Sequence, residues 1–398
     1  MVTAPDPVRR AWTLLEMRRP AEAERELRGV LAQDPHHVTA HSYLGLALVQ
    51  QGNAAEAVAM ANEAVRLAPD LWFAHYMAGD IHYRADRPDA AIAAAKASLA
   101  LQPDYAPTWS VLARAHLAKS EWAEVAEAAR RGLAIEPENS VLVSLLALAL
   151  TKLGEAEEAK AAAAHAVRLN PESATAHLAY GRAALAFGDP RGAADAFREV
   201  LRLDPGFDQA RDLLVAALKQ RNPVYRGLGR LTGRFRGGRL VFLLPAIPPL
   251  IVVFILVALL HWAAWVTEAW TTLRLARAKA TRLLFENVEA RVSALCCGLV
   301  VAGAAVLGLG VALGLEAVGT AGVAVMALVT PVQEAAHTGS ARGRKALYGW
   351  AGLLTVTIAA ATALGSASAA LLSVYAGLAT IWIAGGVRRV LGRGGQAA

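Results

Sequence analysis

Two patterns of apolar and polar positions divide this chain. Up to about residue 221, apolar residues return at three- and four-residue intervals in short segments that come in pairs. HSYLGLALVQQ and AAEAVAMANEAVRLA, separated by Gly52-Asn53, are one such pair. That period places the apolar side chains on one face of a helix, and short polar joints make each pair a helical hairpin. From residue 240 the pattern changes. LVFLLPAIPPLIVVFILVALLHWAAWV (240–266) has no formal charge, and apolar stretches follow at 293–314, 317–332, 346–365 and 366–386. One spanning helix needs about 20 apolar residues. The expected class is therefore all-α: a stack of helical hairpins followed by an α-helical transmembrane domain.

The hairpins repeat. Pro35, Pro69, Pro103, Pro137, Pro171 and Pro205 are each 34 residues apart. Gly45, Gly79 and Gly181 share one register, filled by Ala113 and Ala147 in other units. Ala23, Ala57, Ala91, Ala159 and Ala193 share another, with Val125 as the exception. Small residues at fixed registers mark places where helices approach closely. Pro20, Pro88 and Pro190 share the start of the second helix, where the missing N–H has no intrahelical partner to lose. Leu44-Gly45, Ala57, Ala64 and Pro69, then Trp109, Leu112 and Pro137, then Gly181, Ala193, Phe197 and Pro205 resemble the tetratricopeptide repeat. The resemblance implies six repeats over 4–205, the first degenerate, with a capping helix at 206–221. It also implies a superhelix whose concave face is lined by the first helix of each pair.

Carried over by register, that face holds Phe73, Tyr76, Asp80, Tyr83 and Arg84 from the third unit, Arg114 from the fourth, Lys152 from the fifth and Arg182 from the sixth. The functional reading is a groove for a protein or peptide, with aromatic anchors and basic side chains for a carboxylate. The competing reading is a solvated solenoid surface whose tyrosines pack on neighbours. His41, His75 and His177 share a register, as do His82 and His116. They are expected half-buried between helices, in slots that hold aromatics in other units, and no metal site is expected.

Residues 222–239, NPVYRGLGRLTGRFRGGR, carry five arginines, five glycines and no acid. They read as a basic juxtamembrane linker in which Arg226, Arg230, Arg234, Arg236 and Arg239 meet anionic lipid headgroups while the glycines oppose a rigid helix. In 240–266, Pro245, Pro248 and Pro249 leave two forms open: one tilted helix from about Pro249, or a re-entrant hairpin. Residues 267–292 alternate apolar and basic positions and read as an interfacial amphipathic helix, with a solvated segment as the alternative. Four transmembrane helices in two hairpins are expected over 293–386, then a basic tail at 387–398. Basic loops favour the cytoplasmic side. Placing all of them there requires an even number of crossings in 240–266, which favours the re-entrant form. NPVYRGL after such repeats also resembles bacterial membrane proteins with N-terminal tetratricopeptide repeats and a multi-span C-terminal half.

Charge agrees with this division. Residues 1–221 hold 28 of the 33 acids, and residues 222–398 hold 16 of the 40 Lys and Arg against five acids. No Walker loop, GxSxG, HExxH or CxxC occurs, and adjacent Cys296 and Cys297 read as small core hydrophobes. The N-terminus has no apolar core of a cleavable signal. The expected protein is not an enzyme, uses no cofactor and binds no nucleic acid. It is read as a scaffold in the bacterial inner membrane, with solenoid and C-terminus cytoplasmic. Glu316, Glu334 and His337 sit at expected joints, so ionisable groups look scarce inside the spans. That scarcity weighs against the alternative, a transport or pore component with the solenoid as docking arm. Glycine and alanine faces, including the GxxxG at Gly310–Gly314, leave oligomerisation through the membrane open.

Overall fold

The computed structural model describes residues 6–235, 250–278, 281, 284, 285 and 287–391. The chain divides into two compact units, Met1–Leu214 and Val215–Ala398. The described residues are helical, with no strand among them.

The first unit is a row of six helical hairpins: α1 (Pro7–Glu16) with α2 (Pro20–Gln33), α3 (Val38–Gln50) with α4 (Ala54–Leu67), α5 (Trp72–Arg84) with α6 (Pro88–Leu101), α7 (Ala106–Ala118) with α8 (Trp122–Ile135), α9 (Ser140–Leu153) with α10 (Ala156–Leu169), and α11 (Ala174–Ala186) with α12 (Pro190–Leu203). The expected repeats therefore exist, residues 4 and 5 of the first lying outside the described residues. A helix, α13 (Asp208–Gln220), stands where a capping helix is expected.

Each second helix ends two residues before a periodic proline. The residue preceding proline is pushed out of the helical region, and Asp34 (φ −131°, ψ 90°) shows the outcome. First helices of successive hairpins touch one another, α1 to α3 through α9 to α11, as the inner layer of a curved stack must. Close packing explains the small-residue registers. A Cβ on Gly45 would stand 2.8 Å from Ile81 Cδ1, and one on Gly181 would strike the fully buried Phe197 ring. Ala23, Ala57, Ala91, Ala159, Ala193 and Val125 are all fully buried.

The histidine register has a structural use. The Nε2 atoms of His41, His75 and His177 lie 2.9, 2.7 and 2.8 Å from the carbonyl oxygens of Pro35, Pro69 and Pro171. Trp109 Nε1 donates to Pro103 O at 2.9 Å in the same place. A carbonyl can only accept, so these imidazoles carry their proton on Nε2 and tie each inter-repeat turn to the next helix.

A further register appears inside the hairpins. Arg18, Gly52, Asp86, Ser120, Gly154 and Gly188 all have φ between +56° and +93°, and they too are 34 residues apart. Three of the six lack glycine's tolerance of this region. Left-handed backbone costs an L-residue about 1 kcal/mol, offset in part by glycine's extra unfolded-state entropy. Ser120→Gly and Arg18→Gly are each expected to raise unfolding stability by about 0.5 kcal/mol, read as a higher urea midpoint at unchanged slope. Asp86→Gly should gain least, because aspartate tolerates this conformation better. Lowered midpoints at Arg18 and Ser120 would refute the strain.

In the second unit, α14 (Pro223–Phe235) and α15 (Leu250–Arg277) precede α16 (Asn287–Leu313), α17 (Glu316–Ala327), α18 (Val329–Ala336), α19 (Ala341–Ala363) and α20 (Ala367–Leu391). Val288–Leu313, Glu316–Ala336, Ala341–Ala363 and Ala367–Ala384 are long and apolar enough to cross a membrane. Three expectations change. The glycine-rich linker is helical over Pro223–Phe235, and its residues 236–239 lie outside the described residues. Pro223 starts α14, and Asn222 Oδ1 accepts from Val224 N at 3.0 Å as its cap. The boundary expected between 266 and 267 is absent, because α15 runs unbroken through it. The segment expected as one interfacial helix, 267–292, is divided between the end of α15 and the start of α16. Residues 240–249, including the three prolines, and 392–398 of the tail lie outside the described residues.

α14 lies antiparallel along α15. Asn222 Nδ2 donates to Thr271 Oγ1 at 3.1 Å, while Thr232, further along α14, shares a cavity with His261, ten residues earlier in α15. The small faces of α16 and α17 are spent on each other. Gly310 packs against Gly319, and Gly322 against Leu307 and Gly303. Gly314, the other half of the GxxxG, instead has φ +65° at the end of α16. These glycines pack within the chain, whereas Gly298 and Gly308 of α16 have open space around them.

Candidate functional site

The structure brings most of the register-derived groove residues together. Phe73, Tyr76, Asp80, Tyr83 and Arg84 share α5, and Arg114 reaches them from α7. The Arg114 guanidinium stands 5.9 Å from the Tyr83 ring centre. Asp80 is buried and accepts from Arg84 Nε at 2.7 Å, so this acid and base first serve each other. Burial, with help from the nearby Asp80 carboxylate and Tyr105, pushes the Tyr76 phenol up to about 12. Tyr76 therefore stays a protonated donor. Arg114 Nε is buried with no hydrogen-bond partner among the described residues. An unsatisfied buried donor is costly.

Two predicted residues lie apart from this cluster. Lys152 sits over the Trp122 ring at 5.5 Å, and Arg182 donates to Gln209 Oε1 at 2.8 Å. Sequence reasoning also missed four rings. Trp12 and Tyr43 are 4.9 Å apart, Tyr43 and Phe73 5.9 Å, Trp72 and Tyr105 4.6 Å, and Tyr76 and Tyr105 5.2 Å. Phe73 links the two ends through Trp72 at 5.8 Å and Tyr76 at 6.3 Å. An aromatic row thus runs from Trp12 in the first hairpin to Tyr105 at the start of the fourth, while Arg114 stands against Tyr83, which none of these pairs includes. Tyr43 and Tyr105 fall at registers that no predicted groove residue shares, so register alone does not find them, whereas Trp12 stands in the register of Asp80, Arg114 and Arg182. The available signal was the local density of rings around Trp72-Phe73.

The second unit holds a polar cluster that the sequence reading did not assemble. Glu268 Oε1 lies 3.1 Å from Lys219 Nζ and 3.4 Å from His337 Nε2. His337 follows the last residue of one candidate span, and Glu268 lies two residues past the apolar stretch ending at Val266. His337 Nδ1 is 2.9 Å from Gln333 O, and its ring lies 4.8 Å from that of Trp265. Both imidazole nitrogens face pure acceptors, so the doubly protonated ring fits best. In agreement, the carboxylate of Glu268 raises the His337 pKa. Burial pushes Glu268 up, but His337 and Lys219 outweigh it and bring the carboxyl down to about 2. Cavities of about 100 and 90 Å³ adjoin Glu268 on two sides. Glu334, expected at a joint, is fully buried because α18 continues through it.

Of the arginines expected at lipid headgroups, Arg226 is half-buried on α14. Positions 230 and 234 follow one and two turns further along that helix, and Arg236 and Arg239 lie outside the described residues.

Residues 8–71, 76–140 and 144–206 match the family model described as tetratricopeptide repeat. No curated protein matches the chain. Among solved structures, it is similar to a thermophilic TPR protein of Thermus thermophilus, at 20% identity over 46% of this chain and 98% of that one, with TM-score 0.40. It is similar to MamA at 23% identity over 41% and 95%, with TM-score 0.36. It is also similar to PilF of Pseudomonas aeruginosa at 19% identity over 52% and 94%, with TM-score 0.45.

Proposed function

Because the N-terminal half of this chain consists of tetratricopeptide repeats, a family whose members mediate protein–protein interaction, we propose that it is a scaffold anchored in the bacterial cytoplasmic membrane. The α5–α7 face of the solenoid recruits a protein or peptide partner on the cytoplasmic side. The observation that carries this reading is the aromatic row from Trp12 to Tyr105, with Arg114 of α7 set against Tyr83 of α5 on the same pair of helices. Rings supply rigid apolar anchors, and the guanidinium supplies a fixed fork for a carboxylate or backbone carbonyl.

Anchoring rests on the second unit. Val301, Val311, Val356 and Leu372 each expose more than 65% of their surface, as a lipid-facing belt would. Arg274 and Arg277 end α15, Arg291 lies near the start of α16, and Arg342, Arg344 and Lys345 begin α19. With α16 and α19 entering from that end, all are on one side of the bundle. The opposite joints, at Gly314–Leu315 and Gly365–Ser366, carry no base. Basic ends face the cytoplasm, and the antiparallel α14–α15 pair returns to its own side, as an even number of crossings requires. Arg226, nearest that side, makes the headgroup contact; positions 230 and 234 lie deeper along the pair.

The groove is tested in full-length protein purified from native cells in mild detergent, beside a Tyr76→Ala/Arg114→Ala variant of matched circular dichroism. Hot-spot residues each contribute about 2 kcal/mol, so a partner held by wild type should weaken by a hundredfold or more. Identical partners at identical occupancy would refute the groove. The Glu268 cluster favours a second reading, in which the same unit conducts or couples an ion, because ionisable groups among apolar helices are commonly functional.

A further inference from the structure

An apolar crevice of about 270 Å³ opens between α15 and α16, walled by Val266, Ala269, Trp270, Cys297, Val300 and Val301. Its walls are not closed over: Trp270 is 59% and Val301 71% exposed. On α15, Val266, Trp270, Arg274 and Arg277 fall at i, i+4, i+8 and i+11. They form one helix stripe about 16 Å long. The crevice therefore continues, toward the basic end of the bundle, into two exposed arginines. Arg277 stands within electrostatic reach of the Cys297 thiol in the crevice wall, so the two parts form one surface.

We propose that this surface is a binding site for a single anionic phospholipid, with an acyl chain in the crevice and the phosphate held by Arg274 and Arg277. The proposal rests on the membrane reading above and adds lipid selectivity to it. Charge complementarity decides the occupant. An acyl chain gains little apolar contact by leaving the bilayer for a protein crevice, because both surroundings are apolar. Selection must come from the headgroup, where guanidinium groups pair with phosphate oxygens in bidentate geometry. Trp270 stands at the junction between apolar and charged parts, where an amphipathic ring is favoured. A peptide would need its backbone hydrogen bonds satisfied, and the crevice walls offer only apolar side chains and thiols.

Each arginine near an anionic surface contributes about fivefold in affinity, so both together contribute about thirtyfold. The test uses full-length protein in nanodiscs of equal dioleoyl phosphatidylglycerol and dioleoyl phosphatidylcholine. The protein is transferred to mild detergent, and retained lipid is identified by native mass spectrometry. Wild type is expected to keep phosphatidylglycerol in preference to phosphatidylcholine. Arg274→Gln/Arg277→Gln should lose that preference by about thirtyfold. Val301→Trp, which fills the crevice without changing charge, should also reduce retention. Arg342→Gln/Arg344→Gln removes equal charge at the same end and should change it by less than about threefold.

Equal retention by the α15 double variant overturns the site. So does an equal loss in the α19 control, which would mark a diffuse surface potential. Incorporation into the nanodisc is read separately. A wild-type chain that does not incorporate overturns the membrane reading, and this proposal with it.

Discussion

Gly322→Val is expected to prevent the second unit from reaching its folded, monodisperse state in detergent, whereas Gly308→Val should behave as wild type. A Cβ at position 322 would lie 2.6 Å from Gly303 O and 2.8 Å from Leu307 Cα. At position 310 it would lie 2.5 Å from Gly319 Cα. These are backbone atoms, so no rotamer change relieves the clash and one helix must move off the other. Overpacking a core costs about 1–3 kcal/mol when side chains can yield, and a backbone collision falls at or above the upper end. Gly308, on the partner helix α16, has nothing within 4 Å of its added Cβ. The comparison thus separates close helix contact from a general intolerance of valine in this apolar pair. Size-exclusion profile and thermal midpoint are the measurements. A Gly322→Val protein that elutes as wild type and melts within about 2 °C of it would show that α16 and α17 do not pack as described.

The same glycines show how much of the fold the sequence could carry. That small residues mark helix contact follows from sterics alone, and it was correct at Gly45, Gly181 and Gly310 alike. In the repeats the partner was legible too, because the period of 34 fixes which residue faces which. In the apolar half no repeat exists, so the partner of Gly310 could not be named. Gly314, paired with it by spacing, ends the helix instead. α15 was cut short at Val266 because charge marks where an apolar surface ends, and a helix continues wherever its backbone bonds do. The glycines after Asn222 argued against a helix, and the three that lie in α14, Gly227, Gly229 and Gly233, each cost about 1 kcal/mol. The cap at Asn222, the proline at its first position and packing along α15 outweigh that cost. NPVY is thus the elbow where α14 docks, with one amide both capping α14 and bonding Thr271. The groove was half legible: α5 supplied its residues by register and Trp12 shares the register of Asp80 and Arg114, while Tyr43 and Tyr105 enter from positions that no shared register predicts.

Glu268→Ala should be the most damaging single change to a side chain in the second unit, and Glu268→Gln a milder one. Lys219 and Glu268 each expose only 16% of their side chains, so removing the carboxylate strands a mostly buried ammonium beside an imidazolium. Breaking such a pair costs about 3 kcal/mol. The glutamine keeps the shape and an acceptor but removes the charge that holds His337 protonated. Its consequence is a changed pH profile. His337 has a raised pKa in the folded protein, so its contribution is fully present below about pH 6.5. That contribution is lost as pH rises through the folded value. Glu268 acts at the other end: with a folded pKa near 2, its contribution is present above about pH 4.3 and disappears only as pH falls toward 2. Between pH 6 and 9 the wild-type thermal midpoint should therefore fall by more than that of Glu268→Gln or His337→Gln, whose profiles should coincide. Parallel profiles for all three proteins would show that the imidazole is not held by this carboxylate. The same variants weigh the two functional readings. A scaffold keeps its partner and passes no ion in liposomes with or without Glu268, whereas an ion-coupled component shows a flux in wild type that Glu268→Gln removes.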